Sequence, residues 1–164
     1  MQGEAAHIAP ARSRRVVVAL GSNQGDRDAH LQYAVTCLRE SLRDLVASAF
    51  IETRPQGVSA PTAPPFLNAV AMGWSADAPA TLLARLRRIE DERGRERPFE
   101  GAPRTLDLDL VLVGELVVDT ATLTVPHSRF RERDFVLGPL ASIAPDLVDP
   151  VTTLTVRDLL ERLG

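Results

Sequence analysis

Nine residues restrict the fold of this chain more than any others: Thr105-Leu106-Asp107-Leu108-Asp109-Leu110-Val111-Leu112-Val113. Apolar and acidic residues alternate through the first half of the run, and a period of two belongs to a β-strand buried on one face. Leu106, Leu108, Leu110 and Leu112 are therefore expected to face a core. Asp107 and Asp109 would lie together on the other side, their Cβ atoms roughly 7 Å apart. Neighbouring carboxylates repel one another, and Asp is disfavoured in strands. A divalent cation would relieve that conflict, because Mg²⁺ takes carboxylate oxygens together with substrate phosphates. The solvated face of a half-exposed sheet also accounts for an isolated pair, so alone the signal is weak.

The rest of the chain supplies partners for that strand. Residues 15–20 form a short β-branched run that stops at Gly21-Ser22-Asn23, which reads as a strand ending in a turn. A helix is expected to open near Asp26 and to bury Leu31, Ala34, Val35, Leu38, Leu42 and Leu45. A second strand is expected over 46–52, a loop dense in Pro and Gly over 54–65, and a third strand over 66–74. Pro79 starts a helix with Leu82, Leu83, Leu86 and Ile89 on its core side, and Gly94 ends it. An irregular stretch over 95–103 leads into the acidic strand. A hairpin over 115–124 and helices over 134–144 and 156–163 follow. The order β-α-β-β-α-β predicts an α+β ferredoxin-like sandwich, an antiparallel sheet with helices packed on one face. A chain of 164 residues is expected to form a single domain, here over 15–164, behind a disordered leader over 1–14.

Composition bounds the chemistry. The net charge of −3 argues against a general nucleic-acid binder. No stretch approaches the roughly 20 apolar residues of a membrane-spanning helix. Residues 1–14 lack the apolar centre of an export signal, so a cytoplasmic protein is expected. Cys37 is the single cysteine, which excludes an intramolecular disulfide and a cysteine-rich zinc site. All 19 basic residues are Arg, which removes lysine Schiff-base chemistry and the phosphate-binding lysine of a P-loop. Any phosphates would be held by guanidinium forks, backbone N–H groups and metal. Seven arginines lie from Arg85 to Arg104, and Arg104 stands three residues before Asp107. Beside a carboxylate pair they make sense if a metal-bound polyphosphate lies between them. For Arg85, Arg88 and Arg93, pairing with Glu90, Asp91 and Glu92 on an outer helix face is the simpler reading.

With only seven aromatic residues in the chain, Phe66 and Phe135 beside polar motifs suggest stacking as well as core packing. Asn68 shares a face with Phe66, and its amide can pair with the donor–acceptor edge of a heterocycle. His127 follows Val125-Pro126 and precedes Arg129, Arg131 and Arg133. One set of motifs now stands in order: G-S-N at 21–23, F-L-N-A at 66–69, G-R-x-R at 94–97, P-R-T-L-D-L-D-L at 103–110, V-P-H at 125–127 and R-D-F-V-L-x-P-L at 133–140. It resembles the 6-hydroxymethyl-7,8-dihydropterin pyrophosphokinases of folate biosynthesis, from about Val16 to the C-terminus. The P-R-T-L-D-L-D segment is the most specific part.

The resemblance implies a Mg²⁺-dependent enzyme that moves pyrophosphate from ATP to 6-hydroxymethyl-7,8-dihydropterin, giving the pterin diphosphate and AMP. It gives Asp107 and Asp109 two Mg²⁺ ions to hold, and assigns catalysis to these two with Arg95 and Arg104. ATP would be bound by Glu90, Arg95, Arg97, Arg104, His127 and Arg133. The pterin would lie between Phe66 and Phe135, its edge read by Thr53, Pro55, Gly57 and Asn68. The loops over 54–65 and 95–103 would close over both substrates and exclude water. No protein nucleophile is evident, so direct in-line transfer by a monomer is expected. Two rivals remain at this point. A ferredoxin-like RNA reader would want aromatics and positive charge where this chain has Asp107 and Asp109. A two-metal nucleotide hydrolase or polymerase of the same fold would have no use for the pterin-edge set.

Overall fold

A computed structural model of the chain describes residues 12–54, 64–94 and 105–164. The leader expected over 1–14 lies outside the described residues as far as residue 11, and Arg14 already belongs to the first strand. The sheet contains β1 (Arg14–Ser22), β2 (Arg43–Ala47), β3 (Ile51–Thr53), β4 (Phe66–Ser75) and β5 (Asp107–Val113). All pairs are antiparallel, in the order β2-β4-β1-β5, with β3 also paired to β4. Helices α1 (Arg27–Ser41) and α2 (Pro79–Glu92) are the crossovers. After the sheet come a two-residue-per-arm hairpin, β6 (Val118–Asp119) and β7 (Thr124–Val125), and a 3₁₀ turn (Phe130–Glu132). Two helices, α3 (Asp134–Ile143) and α4 (Val156–Leu163), close the chain. Among the described residues no helix is long and apolar enough to cross a membrane.

Local chemistry sets the boundaries. The Asp26 carboxylate accepts the Ala29 N–H at 3.1 Å and opens α1. The helix ends where Leu42 turns extended, so Leu45 lies in β2, contrary to the expectation that it extends the helical face. That exit crosses β4 at contact distance: a Cβ on Gly73 would meet the Leu42 Cβ at 2.7 Å. The strand expected over 46–52 is two strands. Between them Ser48 donates its N–H to the Val70 carbonyl at 2.8 Å, and its hydroxyl accepts the Val70 N–H at 2.9 Å. A side-chain oxygen thus replaces a backbone carbonyl in the ladder.

The sheet carries a core on each face. Val16, Val18, Leu20, Leu108 and Leu110 pack beneath Leu31 and Leu38 of α1 and Leu82 and Leu86 of α2, the ferredoxin-like arrangement expected. The C-terminal helices extend it by packing on the opposite face. There Leu137, Leu140 and Leu159 meet Val17, Ala19, Val70, Met72, Val111 and Leu112. Leu112 departs from the expected alternation. Val17 pairs with Leu112 and Val18 with Leu110, so Val111 is the extra residue of a β-bulge. Beyond the bulge the strand reverses its faces, and Leu112 joins the second core rather than the first.

Candidate active site

The face that α3 and α4 cover at one end continues, at the other end, into small and polar residues. Asn68 of β4 pairs with Gly21 of β1, and Gly21 pairs in turn with Asp107 of β5; Asp109 pairs with Ala19. Asp107 and Asn68 are therefore two strand spacings apart, about 10 Å. On the β4 side, Thr53 pairs with Phe66, and the Asn68 amide nitrogen donates to the Thr53 hydroxyl. Gly21 lies close against this pair. A Cβ there would stand 3.1 Å from Asn68 Oδ1 and 3.6 Å from Phe66 Cδ1. The glycine of the G-S-N motif thus owes its place to a close approach.

On the β5 side, Asp109 collects cationic and imidazole groups. Arg133 Nη1 lies 3.6 Å from Asp109 Oδ2, and His127 Nε2 lies 3.9 Å from Oδ1. The bulge places the histidine: the Val111 carbonyl accepts the His127 N–H at 2.9 Å. Its Nδ1 accepts the Arg129 N–H at 3.1 Å, which leaves the neutral ring's proton on Nε2, toward Asp109. Burial, with the charges of Arg133 and Arg129, holds the His127 pKa below its ordinary value despite Asp109 and Asp107.

Glu90, expected on the nucleotide side of α2, is 3% exposed, and its Oε2 accepts the Leu108 N–H at 2.7 Å. Leu108 stands between the two aspartates, so this carboxylate ties α2 to the outer edge of β5 where they project. A cleft of about 290 Å³ runs along that edge, lined by Leu83 and Arg87 of α2, Asp107, Asp109, residues 122–124, His127 and Ser128. Leu83 was expected in the core but is half-buried in this wall. Arg87, Thr122, Leu123, Thr124 and Ser128 are additions to the expected set. The spacing of 83, 87 and 90 on one helical face was a usable signal for Arg87; the remaining four carry none.

Phe66 and Phe135 are both half-buried, at the first residue of β4 and in the first turn of α3, and the Arg133 guanidinium lies 5.6 Å from the Phe135 ring. Arg95, Arg97, Arg104, Pro55 and Gly57 lie outside the described residues. Among the described residues no three His, Cys, Asp or Glu side chains converge as a ligand set. A two-carboxylate donor set suits Mg²⁺, which keeps waters and takes phosphate oxygens, better than a metal caged wholly by protein.

A sequence profile of the 7,8-dihydro-6-hydroxymethylpterin-pyrophosphokinases (HPPK) matches residues 17–145. The 2-amino-4-hydroxy-6-hydroxymethyldihydropteridine pyrophosphokinase of Pseudomonas aeruginosa is 41% identical over 138 residues, 82% of this chain and 83% of that protein. The folic acid synthesis protein fol1 of Schizosaccharomyces pombe is 36% identical over 93% of this chain. This chain spans only 21% of its length, and 20% of the corresponding protein of Pneumocystis carinii. Among solved structures, wild-type Plasmodium falciparum HPPK-DHPS with pteroate superimposes with a TM-score of 0.71 at 12% identity, covering 92% of this chain and 44% of that one. That likeness establishes the ferredoxin-like fold. From the profile match and the bacterial relative, the chain belongs to the 7,8-dihydro-6-hydroxymethylpterin-pyrophosphokinase family.

Proposed function

We propose that this chain, acting as one domain, transfers the pyrophosphoryl group of ATP to 6-hydroxymethyl-7,8-dihydropterin and releases AMP. The observation that carries this reading is the position of Asp107 and Asp109 between two differently equipped neighbourhoods. Toward the β5 edge lie the cleft, His127 and Arg133. Across Gly21 lie Asn68, Thr53 and Phe66. A triphosphate suits the first and a flat, hydrogen-bonding ring suits the second, and their meeting point is the acidic pair.

Two Mg²⁺ ions arriving with ATP would be held by Asp107 and Asp109 and would supply charge neutralisation to the phosphates. Arg133 offers a guanidinium fork to phosphate oxygens, and His127 offers its Nε2–H. Arg95, Arg97 and Arg104 would complete the phosphate grip, with Arg95 and Arg104 assigned to catalysis. Glu90 keeps β5 in register with α2. Thr53, Pro55, Gly57 and Asn68 read the pterin edge while Phe66 and Phe135 hold its faces. The pterin's hydroxymethyl oxygen then attacks the β-phosphorus, the bond from that phosphorus to the α–β bridging oxygen breaks, AMP leaves with that oxygen, and the hydroxyl proton is released to water. Orientation and charge neutralisation supply the acceleration, with no covalent protein intermediate.

The test is product analysis after incubation with ATP, Mg²⁺ and the pterin alcohol. AMP and a pterin diphosphate in equal amounts are expected. ADP in place of AMP, or ATP left intact, would contradict the reading.

A further inference from the structure

His127 and Arg133 reach Asp109 from the two ends of one short arm, and the middle of that arm is tied down by a buried ion pair. Arg131 grips Asp149 through Nε at 2.6 Å and Nη2 at 2.9 Å. The Asp149 side chain is 0% exposed and that of Arg131 25%. The carboxylate also accepts the Thr152 hydroxyl at 2.7 Å and the Val151 N–H at 3.0 Å. Burial opposes its charge, yet the bonds from Arg131, Thr152 and Val151 outweigh that and hold its pKa below the ordinary range. The guanidinium lies over the Phe130 ring at 4.7 Å, and Phe130 is itself 1% exposed in the second core. A charged pair at a purely structural position is commonly replaceable by apolar residues of similar volume. This one sits two residues from Arg133 and four from His127, on the segment that brings both to the acidic pair.

We propose that the Arg131–Asp149 pair positions the phosphate-side groups of this enzyme, setting His127 and Arg133 against Asp109 from outside the site; the proposal rests on the pyrophosphokinase reading above. Among the described residues no hydrogen bond or ion pair joins Arg131 or Asp149 to Asp109 or to the cleft lining, so the pair acts by fixing the 3₁₀ turn between the two groups. Loosening that turn displaces the ATP-side groups and leaves Asn68, Thr53 and Phe66 untouched, while Phe135, in the first turn of α3, stays packed against the second core.

The test compares wild type with Arg131→Met/Asp149→Asn, which removes both charges while the introduced amide still bonds Val151 and Thr152 and the introduced thioether stem still covers Phe130. Affinities for Mg²⁺ with a non-hydrolysable ATP analogue and for the pterin alcohol are measured separately, together with kcat and the melting temperature. The expected result is a folded variant with ATP-analogue affinity and kcat each lowered about tenfold, consistent with a displacement well under 1 Å, and pterin affinity within about twofold of wild type. Unchanged nucleotide affinity and kcat in the folded variant would overturn the proposal, as would equal loss on both substrate sides. If the double variant melts below the assay temperature, Arg131→Lys, which keeps the charge without the fork, is held to the same comparison. An inactive wild type sinks the functional reading itself; an active wild type with an unaffected variant sinks only the positioning role.

Discussion

Asp109 is the residue on which the cationic and imidazole groups converge, with Arg133 and His127 at 3.6 and 3.9 Å and about one-third of its side chain exposed. Its carboxylate adds nothing to the core, so removing it should leave the fold standing. Asp107→Ala and Asp109→Ala are each expected to lower kcat at least about 100-fold, the scale of losing one preorganised electrostatic contact. Stability should stay within about 0.5 kcal/mol, as for other surface changes. Steady-state product formation and thermal melting check the two halves. Gly21→Ala carries the opposite signature. The new methyl group presses on Asn68 Oδ1, and overpacking of this kind costs roughly 1–3 kcal/mol. Pterin affinity should fall about tenfold while nucleotide affinity holds, as read by titration calorimetry. His127 should titrate below about 6.5 in metal-free protein by NMR. Because folding lowers its pKa, its protonation favours the unfolded chain. Stability should therefore decline as pH drops below about 6.5 and level off past the folded-state value.

At the scale of elements, β5 decides the site, and contacts among the described residues hold it there. It pairs with β1, Glu90 takes the Leu108 N–H, and the Val111 carbonyl receives His127. Glu90→Ala should destabilise the chain by about 2 kcal/mol in urea unfolding, since a bond to a charged group is lost from a buried edge. Much of this was legible beforehand. The alternation of Leu106 to Asp109 announced the strand and the face of the aspartates. Helical spacing announced α1 and α2, and the expected 156–163 helix is α4 to the residue. The bulge was not legible. Leu112 continues the apolar alternation, and with an apolar core on both sides a reversal of face leaves no trace in the pattern. Leu45 failed for a related reason: it sits at helical spacing from Leu38 and Leu42, although the backbone has already turned into β2. The 122–128 wall of the cleft is assembled by the fold alone, from a segment whose residues carry no periodicity.

Across the whole molecule, two cores share one sheet, and the second sets how far the polar end of that face extends. Its helices bury Val17, Val70 and Leu112 and leave Gly21, Asn68, Asp107 and Asp109 as the continuation of the same surface. Asp149 anchors the connection between those helices, so Asp149→Ala should cost about 3 kcal/mol by leaving Arg131 without its buried partner. Folding lowers the Asp149 pKa, so its contribution is present above about 4 and is lost as pH falls through the folded-state value. Wild type should accordingly lose stability more steeply in acid than Asp149→Asn. The central claim is that the acidic pair seats metal between nucleotide and pterin. Mn²⁺ can report on it by electron paramagnetic resonance in the presence of a non-hydrolysable ATP analogue and the pterin alcohol. The account predicts two bound, mutually coupled Mn²⁺ ions per wild-type chain and loss of that coupling in Asp107→Asn/Asp109→Asn. Identical spectra and stoichiometry in the two proteins would contradict it.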